Sequence, residues 1–352
     1  MDFDFADILI EVMERGASDL HMTAGSPPMV RERGKLSALD YPMLTPTAVR
    51  EIVYSILSND QRQKLETDWQ IDLAYSIPGR ARFRVNAYFQ RASLGAAFRL
   101  IPQDIPKLDD LGLPATIREF TKKPRGFVLV TGPTGSGKST TLAAIIDLIN
   151  ETRSLHVITI EDPIEFVHPN KKCLIHQREI GTHARSFAEA LKAAGREDPD
   201  LILVGEMRDL DTISMALSAA ERGTLVFGTL HTNNAAKTMD RIISVFPAAE
   251  QEGIRNVLGE TTRAVLAQQL LPQVGGGRVA ALEILFSSPA IGNMIREGKT
   301  PQITSAIQTG VREGMVDMDT SIRRLYEAKR ITARAAYDKA IDKESFKDLE
   351  GV

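Results

Sequence analysis

The chain has 352 residues, 43% hydrophobic and 25% charged, with a formal net charge of −3 and one cysteine. That length predicts two domains, and that balance excludes a nucleic-acid-coating surface, a disulfide framework and a multi-cysteine zinc site. No run approaches the roughly 18 apolar residues of a membrane span, and Met1-Asp2-Phe3-Asp4 lacks the basic start of a signal peptide, so a cytoplasmic protein without direct membrane insertion is expected.

Phe5, Ile8, Leu9, Val12 and Met13 recur at helical spacing, and Gly16 closes that helix. A second helix starts at Thr45 (N-cap) and Pro46 (first helical position) and carries Val49, Ile52, Val53, Ile56 and Leu57. Ile71, Leu73, Tyr75 and Ile77 alternate with polar residues up to the turn at Pro78-Gly79. Phe83, Val85, Ala87 and Phe89 then alternate with Arg82, Arg84, Asn86 and Tyr88. Residues 1–101 therefore read as a small α+β domain on an antiparallel sheet. A hairpin centred on Arg91-Ala92 would set Arg84 and Arg99 opposite each other on one face. Like charges so placed destabilise a sheet unless an anion bridges them, which makes the pair a candidate phosphate clamp. Residues 102–114, rich in proline, read as a linker.

From Gly126 the texture changes. Phe127–Val130, Leu155–Ile160, Leu201–Val204 and Leu225–Phe227 are apolar runs without alternation, as in a parallel sheet covered on both faces. Between the first run and the helical Thr140-Thr141-Leu142 stretch lies Gly132-Pro133-Thr134-Gly135-Ser136-Gly137-Lys138-Ser139. Strand, glycine loop and helix form the context of a phosphate-binding P-loop. Its glycines let backbone N–H groups point inward at a helix N-terminus. Lys138 adds a cation for the phosphates, and the Ser139 hydroxyl is a ligand for Mg2+. ATP and Mg2+ are thus the expected cofactors, with Gly132, Pro133, Thr134, Gly135, Ser136, Gly137, Lys138, Ser139 and Thr140 around the phosphates.

Acids at the carboxyl ends of parallel strands face the ligand crevice. Two segments qualify: Glu161-Asp162-Pro163-Ile164-Glu165, and Gly205-Glu206 after Leu201–Val204, which has the form of a Walker B segment. Gly228-Thr229-Leu230-His231-Thr232-Asn233 ends a third strand, and His231 stands where a γ-phosphate sensor would. Ser186 through Glu189 reads as a capping box, Gly223 closes a helix that starts near Asp209, and Gly195 ends a helix before Asp198-Pro199. After strand-like Val279–Phe286, residues 288–352 read as a helical extension opened by Ser288-Pro289 and Thr300-Pro301, with Thr332–Ala340 short, polar and expected to fray. Cys173 reads as a buried small apolar residue.

Together and in this order, Gly132–Ser139, Glu161–Glu165, Asp198–Asp209 and Gly228–Asn233 resemble the secretion-type hexameric ATPases of type IV pili and type II secretion, over nearly the whole chain. Ser18-Asp19-Leu20-His21 and the short N-terminal region point to the retraction branch, and one cysteine cannot supply the tetracysteine zinc motif of the extension branch. The resemblance implies a PAS-like domain over 1–101, a RecA-like ATPase domain over 115–287 and assembly as a homo-hexamer. It implies Glu161 as the acid that polarises water, with Glu165 as the alternative. Glu206 would be the Walker B acid on the Mg2+ shell, His231 the His-box residue, and Arg84 and Arg99 the pair that reaches the γ-phosphate. The implied partners are an inner-membrane pilus platform protein and a second retraction ATPase, with no nucleic acid, and the implied location is the inner face of the cytoplasmic membrane. The implied work is pilus retraction by nucleotide-driven domain rotation. One departure stands out. Where that branch reads Ala-Ile-Arg-Asn-Leu-Ile-Arg-Glu, this chain has Ala290-Ile291-Gly292-Asn293-Met294-Ile295-Arg296-Glu297. Gly292 removes a charged side chain and weakens the helix by roughly 1 kcal/mol against a good helix former.

Overall fold

The computed structural model describes residues 4–32, 34–77, 80–101 and 104–349, so the predicted turn at Pro78-Gly79 lies outside the described residues. The chain divides into two compact units, Met1–Asp104 and Ile105–Val352.

In the first unit, helix α1 (Phe5–Glu14) is capped by the Asp4 side chain and followed by Gly16 in the left-handed region. Strands β1 (Asp19–Thr23), β2 (Met29–Glu32) and β3 (Lys35–Ala38) precede α2 (Pro46–Ser55), whose N-cap Thr45 accepts from the Ala48 amide. Helix α3 (Asn59–Asp68) has no counterpart among the sequence expectations. Only Leu65 on it is buried, and the Ser58–Gln61 capping box defines its start. Strands β4 (Gln70–Ile77), β5 (Ala81–Gln90) and β6 (Ser93–Ile101) complete a sheet of order β3-β2-β1-β6-β5-β4. Alternation sorts its faces. Leu20, Met22, Phe83, Val85 and Phe98 join Ile8, Leu9, Val49, Ile52 and Val53 in one buried core. Burying each phenylalanine there stabilises by about 2–3 kcal/mol. The β5–β6 hairpin turns at Arg91 and Ala92, with φ of 45° and 57°, and sets Arg84 opposite Arg99.

The second unit begins inside the stretch read as linker. Leu108 is buried with Ile117 and Phe120, so these residues pack on the larger unit. Short α4 (Arg118–Thr121) leads into β7 (Gly126–Thr131), α5 (Lys138–Thr152), β8 (His156–Glu161), β9 (Leu174–Glu179), α6 (Phe187–Ala194), β10 (Leu201–Val204), α7 (Leu210–Glu221), β11 (Leu225–Leu230), α8 (Ala235–Ser244) and α9 (Gln251–Thr261). Strands β12 (Thr262–Pro272) and β13 (Arg278–Phe286) close a sheet of order β13-β12-β7-β11-β10-β8-β9, parallel except for β12 against β13. This is the doubly covered parallel α/β sheet that the apolar runs predict. Val128, Val130, Val157, Leu203 and Phe227 pack with α5 on one face, and Phe127, Leu129, Ile160, Val204 and Val226 pack with α6 to α9 on the other. Cys173 is buried. Helix α6 ends at Gly195 in an ordinary right-handed conformation, and the left-handed residue before the next strand is Asp198. Gly223, at φ 105°, follows α7.

Helices α10 (Pro289–Arg296), α11 (Gln302–Thr309), α12 (Met318–Glu327) and α13 (Ala333–Lys339) follow. Ala333 and Ala336 of α13 are buried with Ile322, Ile331 and Phe346. The expected fraying of Thr332–Ala340 is therefore corrected: these small side chains let the helix sit close on a core of its own. Among the described residues, no helix is long and apolar enough to cross a membrane.

Candidate active site

The site grows from the end of β7. All six β7 residues are buried, so the strand delivers the glycine loop at a fixed height at the sheet's carboxyl edge. Gly132, Gly135 and Gly137 have φ of 143°, 76° and 86°, which only glycine adopts without strain. At two of them space also forbids a side chain. A Cβ at Gly132 would lie 2.2 Å from the Gln268 carbonyl oxygen, and one at Gly137 would lie 2.8 Å from Gln268 Nε2. Gly137 is the N-cap of α5 and supplies no side-chain cap. The Gly132 and Ser136 amides bond to the Leu230 and Pro133 carbonyls. Among the described residues the amides of Gly135, Gly137, Lys138, Ser139 and Thr140 meet no protein acceptor. A row of free N–H groups at a helix N-terminus is an anion site.

Lys138 donates to the carbonyls of Gly132 (2.7 Å) and Pro133 (3.1 Å), folding its ammonium over the loop. Burial pulls its pKa below the ordinary value, against the attraction of Glu206 and Glu165. Pro133, Thr134 and Gly135 are exposed at the tip, whereas Ser136 is buried.

Ser139, Glu161, Glu165, Gly205 and Thr229 line a cavity of about 40 Å³ beside the loop, with Phe166 and His168 behind. That volume has room for water and not for a nucleotide. Glu161 ends β8, and its Oε1 accepts from the Thr159 hydroxyl at 2.6 Å and from Gln177 Nε2 at 3.2 Å. Burial raises its pKa, against those bonds and the Glu165 amide. Glu165 is exposed. Glu206 lies past β10 and is gripped differently. Its Oε1 accepts from His231 Nε2 at 2.7 Å and from Arg208 Nε. Burial opposes its charge, but Arg208 and His231 hold its carboxyl below the usual range. His231 leaves β11 with its side chain 47% exposed.

Arg84 and Arg99 belong to the N-terminal unit. Asp19 on β1 faces Arg99 on β6, which faces Arg84 on β5, so the three form one row across adjacent strands. Arg99 Nε donates to Asp19 Oδ1 at 2.9 Å while its side chain stays 70% exposed. The row thus holds two guanidinium groups and one carboxylate, a partial internal neutralisation that sequence reasoning did not include.

Sequence reasoning also missed the residues that brace the loop and the acids. Gln268 on β12 donates from Nε2 to the Ser136 carbonyl (2.8 Å) and accepts at Oε1 from the Thr141 hydroxyl (2.9 Å), spanning the glycine loop and α5 from behind. It is buried. The available signal was the polar pair Gln268-Gln269 inside an otherwise apolar run. Gln177 and Arg208, the partners of Glu161 and Glu206, carry no comparable signal.

The set fits a nucleoside triphosphate and its Mg2+. The cradle admits no Cβ at two positions, the amides of Gly135 and of Gly137 to Thr140 are free among the described residues, and the Ser139 hydroxyl and Glu206 carboxylate are oxygen donors of the kind Mg2+ prefers. Among the described residues no group of three or more His, Cys, Asp or Glu side chains gathers as a metal site.

The model of the type II/IV secretion system protein family matches residues 4–276. The chain is 49% identical to the type IV pilus retraction ATPase PilT of Pseudomonas aeruginosa, over 97% of this chain and 100% of that protein. It is 50% identical to a twitching motility protein of Neisseria gonorrhoeae, over 90% and 85% of the two chains. The crystal structure of the pilus retraction motor PilT with bound ADP superposes with a TM-score of 0.92 at 48% identity, covering 98% of this chain and 99% of the other.

Proposed function

The chain belongs to the type II/IV secretion system protein family, and on that premise we propose that it is an ATP-hydrolysing motor that powers pilus retraction by nucleotide-driven domain rotation. The observation that carries the reading is the glycine loop, with the unpartnered amides of Gly135 and of Gly137 to Thr140 and with Lys138, whose ammonium feels the charges of Glu206 and Glu165, beside the cavity that Glu161 lines. Relatives of this length and similarity named for retraction and twitching support the same reading.

In the proposed reaction the loop amides and Lys138 hold the phosphates. Mg2+ on Ser139 and Glu206 would neutralise charge on the phosphoryl oxygens when bound. Glu161, beside a cavity of water size, orients the attacking water and takes its proton. Burial raises the pKa of Glu161, which suits a proton acceptor, and the Thr159 and Gln177 donors hold its carboxyl in place, which favours Glu161 for the role. His231 and Arg208 fix the Glu206 carboxylate. By the family resemblance alone, Arg84 and Arg99 would supply positive charge to the phosphoryl group in transfer. The family resemblance supports assembly as a homo-hexamer and coupling to a platform protein at the membrane.

Lys138→Ala tests the core of the proposal. ATP turnover by the full-length protein should fall to background in a phosphate-release assay. Turnover within tenfold of the parent would refute the loop assignment.

A further inference from the structure

Accepting Glu161 as the proton acceptor, on the reading just proposed, the geometry points to Thr159 and Gln177 as positioning residues that hold Glu161 by one oxygen and so aim the other. Strand β9 pairs in parallel with β8 so that Gln177 stands beside Thr159 and Glu179 beside Glu161. All four side chains leave one face of these two strands. The Thr159 hydroxyl and the Gln177 amide donate to the same atom, Glu161 Oε1, at 2.6 and 3.2 Å. Oε2 takes neither bond. The Glu165 amide is a further donor to this carboxyl; with both side-chain donors on Oε1, the carboxylate keeps lone pairs on Oε2 for water, and its rotation about the terminal bond is blocked.

Gln177 is itself held. Its Nε2 also donates to the Phe166 carbonyl at 2.8 Å, and its Oε1 accepts the His168 amide at 2.8 Å. The side chain therefore ties the end of β8 to the segment that carries Phe166 and His168 past the same cavity. Thr159 is fully buried, so its hydroxyl has no water to turn to. Nothing in the arrangement touches the glycine loop. These two residues should govern the chemical step and leave nucleotide binding alone.

Two near-isosteric variants separate positioning from packing. Thr159→Val deletes one donor to Oε1. Gln177→Met keeps the chain length and removes the donors without adding a charge beside Glu161. In the full-length protein, steady-state hydrolysis of Mg-ATP should show kcat lower by about tenfold or more in each, with KM for ATP and the affinity for a fluorescent ATP analogue within about twofold of the parent. Values of kcat within twofold of the parent in both variants would overturn the proposal. So would a loss of kcat matched by an equal loss of analogue binding, the sign of a distorted fold. Glu161→Gln separates this outcome from failure of the underlying reading. If that variant hydrolyses normally, Glu161 is not the acceptor. If it is inactive while both positioning variants are normal, only the positioning claim falls.

Discussion

Gln268 shows how much one side chain can decide. Its side-chain amide meets the Ser136 carbonyl, its side-chain oxygen meets the Thr141 hydroxyl, and its Nε2 occupies the space that glycine leaves at position 137, while its backbone carbonyl occupies the space at position 132. Glycine alone would make that loop soft. The buried glutamine turns it into a cradle with one shape. Gln268→Leu keeps most of the volume and leaves two buried polar groups unpaired, so unfolding free energy should fall by about 1–3 kcal/mol. ATP affinity should weaken by roughly tenfold, because a loop that must be reordered binds more weakly. Urea unfolding and nucleotide titration check both. Lost stability with unchanged affinity would mean that Gln268 serves packing alone. At the same scale, Asp19 alters the view of Arg84 and Arg99. A bare pair of facing arginines calls for an anion, but here one carboxylate already answers Arg99. Burial opposes the charge on Asp19, and the Ser18 hydroxyl with Arg99 outweighs it, leaving its pKa lowered.

The contact between α9 and α10 explains Gly292. A Cβ there would sit 2.7 Å from the Gly259 carbonyl oxygen, and a Cβ on Gly259 would sit 2.7 Å from the Gly292 oxygen. Two helices meet backbone to backbone, and each glycine requires the other. The loss of helix propensity at Gly292, roughly 1 kcal/mol, is the counterpart of that close approach. Gly292→Ala would regain the propensity and meet a carbonyl that cannot swing aside, with overpacking of about 1–3 kcal/mol. The net expectation is a lower melting temperature, and a higher one would show that the helices can part freely. Legibility at this scale followed burial. Strands β7, β8, β10 and β11 were readable because both faces are covered and each carries a mostly apolar run without alternation. The β5–β6 register was readable because one face is wet and the other dry, although the turn at Arg91-Ala92 has neither asparagine nor glycine. Strand β9 was not readable: it is an edge strand whose His176, Gln177 and Arg178 serve the site and solvent. Strand β12 was hidden by Gln268 and Gln269, one of which braces the loop. The glycine loop and the acids at the strand ends were legible because their chemistry demands those residue types. Their supports were not, since a glutamine that braces reads like any other glutamine.

At the scale of the whole molecule, Glu283 ties the larger unit together and makes stability depend on pH. It lies on β13, almost fully buried, and accepts the amides that open α8 (Ala235, 2.7 Å) and α12 (Met318). One carboxyl thus joins the helix that follows the His231 segment to the C-terminal helices. Burial pushes its pKa from 4.5 up to about 7, with Asp317 and Asp319 adding to the rise against the two amides. A carboxyl with a raised folded pKa binds more protons folded than unfolded between those two values, so its contribution to stability is fully present below about pH 4.5 and is lost as pH rises through about 7. The shift corresponds to on the order of 3 kcal/mol. Glu283→Gln removes the titration and keeps an acceptor for the helix amides. Urea unfolding of parent and variant at steps across that window should show the parent losing stability relative to the variant as pH rises. Parallel curves would place Glu283 in a fixed protonation state and sink the argument. A widening gap would show that the junction between the His231 segment and the C-terminal helices is strongest when protonated, and that a buried acid opposite two helix N-termini is still governed by its burial.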